Sequence, residues 1–77
     1  MSVSRRKTAL QELVQRKKDQ SLHYALIAES GPDHDKHFTV EVLLNGSSVG
    51  QGTGSSKKRA EQAAAEAAIE KLFPNEL

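Results

Sequence analysis

The stretch Gly52-Thr53-Gly54-Ser55-Ser56-Lys57-Lys58-Arg59-Ala60-Glu61-Gln62 joins backbone freedom, a helix start and three consecutive cations. Ser55 or Ser56 can cap a helix that begins near Lys57, because a serine hydroxyl accepts a hydrogen bond from an unpaired N–H of the first turn. That turn is the positive end of the helix dipole, where acids are favoured and lysine or arginine is mildly unfavourable. Lys57, Lys58 and Arg59 break this rule. Their placement is explained if the helix end receives an anion such as phosphate, which suits both the dipole and the side chains; a solvated basic turn is the plainer alternative. A second candidate is the loop Asp33-His34-Asp35-Lys36-His37, whose two histidines and two carboxylates are metal-ligand types. Adjacent loop residues point apart, however, and no second cluster completes a coordination shell, so no metal site is expected. Nucleophilic catalysis has no support either: cysteine is absent, and the serines lie in caps and turns without a base partner. No catalytic residue is expected.

The elements that must position these residues follow from hydrophobic spacing. From Ser4 to about Lys18, Ala9, Leu10, Leu13 and Val14 recur at three- and four-residue steps, the stripe of an amphipathic helix. Thr8 with Gln11 has capping-box spacing and Ser4 is an earlier start, so the first boundary is open by a turn. Thr8, Gln11, Glu12 and Gln15 lie three or four apart and form a polar ridge away from the stripe. Asp19-Gln20-Ser21 breaks the helix. A short strand follows at Tyr24-Ala25-Leu26-Ile27-Ala28, then a polar loop at Gly31-Pro32-Asp33-His34-Asp35-Lys36. Between His37 and Asn45, Phe38, Val40, Val42 and Leu44 alternate with His37, Thr39 and Glu41, as in a sheet buried on one face. Asn45-Gly46 suits a tight hairpin, with a third strand from about Ser48 to Thr53. Ala60, Ala63, Ala64, Ala67, Ala68, Ile69, Leu72 and Phe73 supply the apolar side of a last helix, Lys57 to about Phe73, stopped by Pro74. His23 is expected at the surface. The resulting fold class is α+β: α-β-β-β-α, with two helices packed on one face of a three-stranded antiparallel sheet.

The 77 residues form one domain, 1–77, with a structured core of about 5–73 and frayed ends at the first few residues and at Asn75-Glu76-Leu77. A chain of this size buries roughly 60% of its unfolded surface, so stability is thin. Absence of cysteine excludes disulfides and thiolate zinc. No apolar run approaches the ~20 residues of a membrane span, and no signal-peptide core is present, so a soluble, intracellular protein is expected. The net charge of +1 says little, but the cations gather at Arg5-Arg6-Lys7, Arg16-Lys17-Lys18 and Lys57-Lys58-Arg59. Such clusters create local fields suited to nucleic acid, although surface decoration has the same pattern.

Four segments carry a family likeness: Lys7-Thr8-Ala9-Leu10-Gln11-Glu12, Gly31-Pro32-Asp33-His34-Asp35-Lys36, Phe38-Thr39-Val40-Glu41-Val42, and Gly50 to Gln62 with Ala63-Ala64. In these, and nearly end to end, the chain resembles a double-stranded RNA-binding domain, specifically the C-terminal domain of bacterial ribonuclease III. The resemblance implies the same α-β-β-β-α fold and recognition of duplex RNA by shape, across two minor grooves and the phosphates between them, over ~16 bp. It implies that Thr8, Gln11, Glu12 and Gln15 meet one minor groove, with Glu12 accepting from a 2′-OH that DNA lacks. His34, with backbone groups near Pro32 and Asp33, would enter the other. Lys57, Lys58, Arg59 and the Ser55 or Ser56 region would hold the intervening phosphates. It further implies a cytoplasmic domain that binds double-stranded RNA without cofactor, DNA preference or membrane contact. The isolated domain would be monomeric and would not cut RNA. Its full-length parent would be a homodimeric, Mg²⁺-dependent endoribonuclease. The rival reading is a protein-interaction or dimerisation module of the same fold.

Overall fold

The computed structural model describes residues 4–16 and 20–76. Helix α1 spans Ser4–Gln15, strand β1 Leu22–Ser30, β2 His37–Leu44, β3 Ser47–Gly54 and helix α2 Lys57–Leu72, followed by a 3₁₀ turn at Pro74–Glu76. The sheet is antiparallel in the order β1-β2-β3. The expected α-β-β-β-α order is therefore met, with local corrections. Helix α1 starts at Ser4, which places Thr8 inside the helix and not at its cap. It ends at Gln15, short of Lys18; Lys17, Lys18 and Asp19 lie outside the described residues, and Gln20 and Ser21 of the expected break are neither helix nor strand. Past α2 the Phe73 N–H donates to the Ile69 carbonyl at 2.7 Å, and Pro74–Glu76 form a 3₁₀ turn.

Strand β1 is nine residues long, well beyond Tyr24–Ala28. The hairpin turn accounts for the extension at its start. Asn45 and Gly46 take φ of 54° and 84°, the left-handed pair that matches strand twist. In that conformation Asn45 reaches back: its N–H donates to the Ser21 carbonyl and its Oδ1 accepts the Ser21 N–H, both at 2.8 Å. Pairing slips once along β1, between Leu26 and Ala28, and Leu26 and Ile27 remain exposed there on the sheet edge.

Val40 and Val42 of β2 face the helices and are buried with Leu10, Leu13 and Val14 of α1 and with Ala60, Ala64, Ala65, Ala68 and Ile69 of α2. Each fully buried Leu, Ile or Val contributes about 1.5–3 kcal/mol. The buried side of α2 includes Ala65, which helix spacing did not assign, whereas Ala63 and Ala67 are half-buried. Alanines alone do not explain how near α2 lies to the sheet. Gly50, Gly52 and Gly54 alternate along β3 and so share the face turned to α2. A Cβ at Gly50 would stand 2.7 Å from the Ala68 nitrogen, and one at Gly54 2.7 Å from the Ala60 nitrogen. At Gly52 it would overlap the backbone of Ala63 and Ala64.

Helix α1 packs chiefly against α2, and Lys7 joins the two. Its backbone N–H donates to Gln62 Oε1 at 2.7 Å, and its Nζ donates to Glu61 Oε1 at 2.6 Å while lying 4.8 Å from the centre of the Tyr24 ring. Tyr24 pairs with Val42 and is packed against the core, its hydroxyl buried with no hydrogen-bond partner among the described residues. Burial, and then the nearby Glu61 carboxylate, pushes this phenol up to about 12. The folded state thus holds the proton more tightly than the unfolded chain. The corresponding stability is complete below pH ~10 and is lost as pH rises through the folded value. Absorbance titration of this single tyrosine, in a chain without tryptophan, is expected to show ionisation well above the ordinary value of ~10. Tyr24→Phe is expected to remove that alkaline loss of stability and to cost under about 1 kcal/mol at neutral pH, because the hydroxyl it deletes is unsatisfied. An ordinary titration midpoint in the folded protein would contradict the burial.

Candidate nucleic-acid interface

Close passage of β3 under α2 fixes where the helix begins. Ser56 is the N-cap, extended at φ −144° and ψ 162°, and its side chain accepts the Arg59 N–H at 3.1 Å. The choice left open by sequence is therefore decided for Ser56, with Ser55 exposed beside it. No acid occupies the first turn, and Lys57, Lys58 and Arg59 are all exposed. With no acid in that turn, the three cations stand against the positive end of the dipole, an arrangement that a bound anion would favour.

Glu29, at the end of β1, lies in the field of this turn as well as that of the loop. Its carboxyl is held below the usual range, first by a hydrogen bond from Lys36 Nζ at 2.7 Å, then by the Lys36 charge, with a smaller pull from Lys57. Lys36, which lies 3.9 Å from Asp33 as well, is an anchor that spacing did not single out, because its partner sits seven residues back across the loop. Gly31 takes φ +93°, and Pro32 and Asp35 close a turn with a 2.9 Å backbone bond. Pro32, Asp33 and His34 are thereby held out in solvent. Asp35 faces His37 at 3.5 Å, and among the described residues no group of three or more potential ligands converges.

Thr8, Gln11, Glu12 and Gln15 form an exposed ridge on α1. This ridge begins next to Lys7, the residue held by Glu61 and Gln62. The first two turns of α2 thus touch α1 through Glu61 and Gln62, while the charge of Lys57 acts on Glu29 at the end of β1, beside the loop. All twelve candidate residues fall on these three surfaces. Of the cation clusters, Lys7 is engaged within the protein; the side chains of Arg5 and Arg6, and Lys17 and Lys18 altogether, lie outside the described residues. Gln62 was not marked by sequence as structural, since a glutamine on a helix is ordinarily solvated.

Residues 7–72, from the Lys7 anchor to the end of α2, match the family described as the double-stranded RNA binding motif. The chain belongs to that family. The domain is also 58% identical over 65 residues to proteins named Ribonuclease 3 from Streptococcus pneumoniae strains Hungary19A-6, CGSP14 and D39 / NCTC 7466. The match covers 84% of this chain and 28% of each relative, so the domain corresponds to a little over a quarter of the length of these curated relatives. The domain is a binding module for double-stranded RNA, and the protein-interaction alternative is not favoured. Among the described residues no helix is long and apolar enough to cross a membrane.

Proposed function

We propose that the domain grips duplex RNA by placing the α1 ridge in one minor groove and the β1–β2 loop in the next, with the α2 start clamped on the phosphates between. This assignment is carried by an acid-free, cationic helix N-terminus, with the exposed α1 ridge held to the same helix by the Lys7–Gln62 hydrogen bond and the polar β1–β2 loop near enough for the Lys57 charge to act on Glu29. Thr8, Gln11, Glu12 and Gln15 meet ribose hydroxyls and base edges. His34 and the backbone near Pro32 and Asp33 enter the second groove. Lys57, Lys58 and Arg59, with Ser55 and the capped backbone at Ser56, hold phosphate. A-form geometry favours such a shape-based grip, because base edges in its major groove are inaccessible.

The relatives' name supports a further reading, that the domain delivers duplex RNA to the catalytic part of a homodimeric, cytoplasmic endoribonuclease. By itself it acts as a monomer, binds without metal or cofactor, has no affinity for membranes and does not cut. Titrating a duplex of about 16–20 bp and arbitrary sequence against its DNA counterpart tests both parts. RNA is expected to bind more tightly and to stay intact with Mg²⁺. Equal affinities would refute the minor-groove assignment, and site-specific cleavage would refute the binding-only assignment.

A further inference from the structure

Gln62 is the polar residue that the described structure buries, at 3% exposure, on a helix face otherwise built of alanine and isoleucine. A buried amide is costly unless bonded, and an alanine there would pack without that requirement. What the glutamine adds is direction: its Oε1 takes the Lys7 backbone N–H at 2.7 Å, across 55 residues of chain. Beside the Lys7–Glu61 ion pair, α1 and α2 share an apolar cluster that includes Leu10, Leu13 and Val14 with the alanines and Ile69 of α2, and apolar packing constrains rotation and axial slip less sharply than a directional hydrogen bond does. A slip of one residue moves a helix by about 1.5 Å and turns it by about 100°. Either change would carry the α1 ridge away from the groove spacing set by the clamp.

We propose that Gln62 is a positioning residue for RNA recognition. By holding the Lys7 N–H it fixes where Thr8, Gln11 and Glu12 stand relative to Lys58, which lies one helical turn before it on α2. The proposal rests on the assignment of the α1 ridge to a minor groove. Glu61, adjacent on α2, grips the other end of the same lysine at 2.6 Å, so backbone and side chain of Lys7 are held from one short segment.

The test is Gln62→Met, which has similar volume and no acceptor, measured on the folded protein with matched RNA and DNA duplexes across a salt series. RNA affinity is expected to fall about five- to tenfold, the worth of one or two well-aligned hydrogen bonds. DNA affinity and the salt slope, which report the phosphate clamp, are expected to stay unchanged, so the RNA-over-DNA ratio falls. Amide exchange at Lys7 should quicken. Gln62→Glu keeps an acceptor and should restore the ratio; if the methionine variant does not fold, Gln62→Ala continues the alanine face and carries the same expectation. An unchanged ratio in the folded variant, or RNA and DNA affinities that fall in equal proportion, would overturn the positioning role. Glu12→Ala in the native background separates the two ideas. If it leaves the ratio untouched, the minor-groove assignment itself fails; if it lowers the ratio while Gln62→Met does not, only the Gln62 inference fails.

Discussion

Gly52→Ala is expected to destabilise the domain by about 3 kcal/mol or more, the upper end of overpacking costs. The added methyl would overlap the backbone of Ala63 and Ala64, not a flexible side-chain end, so no rotamer change can make room for it. Helix α2 would have to move off the sheet, separating Ala64 and Ala68 from β3. Gly52 has no left-handed φ, so the cost is steric, and the modest entropic benefit of Gly→Ala, about 0.4–1 kcal/mol, does not offset it. For 77 residues a total stability of about 4–12 kcal/mol is ordinary, so such a loss removes a quarter or more of it and, at the low end of that range, leaves a sizeable unfolded fraction at 37 °C. Gly46→Ala is the comparison: nothing lies within 4 Å of its Cβ position, and its φ of +84° alone sets the cost, about 1–2 kcal/mol. Urea unfolding of both variants measures the difference. A Gly52→Ala protein within about 0.5 kcal/mol of the native chain would show that α2 does not need its close seat on β3.

Replacing Lys57 and Lys58 together by alanine is expected to lower duplex RNA affinity at least about tenfold and to flatten the salt dependence by roughly two units of slope, about one for each phosphate left without its cation. Stability should respond differently. Both lysines stand against the helix dipole in a first turn without acids, so their removal relieves up to about 0.3–1 kcal/mol each. Part of that gain is countered by losing the pull of Lys57 on the exposed Glu29 carboxylate. A variant that binds worse yet unfolds no more easily is the behaviour of residues placed for a ligand and not for the fold. Equilibrium titration at three or more salt concentrations, paired with denaturant unfolding, reads both quantities. If the salt slope stays at its native value, the α2 start is not the phosphate clamp.

Much of the fold and of the proposed interface was legible in the chain because it obeys local rules or breaks them visibly. Cations at a helix start violate the dipole rule within three residues, and the period-2 run from Phe38 to Leu44 states which face of β2 is buried. The Asn45-Gly46 pair announces a turn that needs positive φ. Each of these signals is contained within a few neighbouring residues, where backbone geometry is set by sterics alone. The same holds for the four family segments, whose order and separation exceed what any one motif could specify.

What was missed has its partner far along the chain. Gln62 looks like a solvated glutamine until α1, 55 residues earlier, presents the Lys7 N–H to it. Lys7 looks like one of three surface cations until Glu61 and the Tyr24 ring occupy it. Lys36 anchors the loop only because β1 and β2 pair so that Glu29 comes within 2.7 Å. Local chemistry, then, was enough to determine the element order, the buried face of β2 and the cationic helix start proposed as the clamp, since propensity, periodicity and dipole are properties of short segments. Only the tertiary structure decided how the three surfaces are spaced. That spacing depends on glycines of β3 admitting the α2 backbone, and on one buried amide that fixes α1 against α2; neither interaction exists until distant segments are in contact.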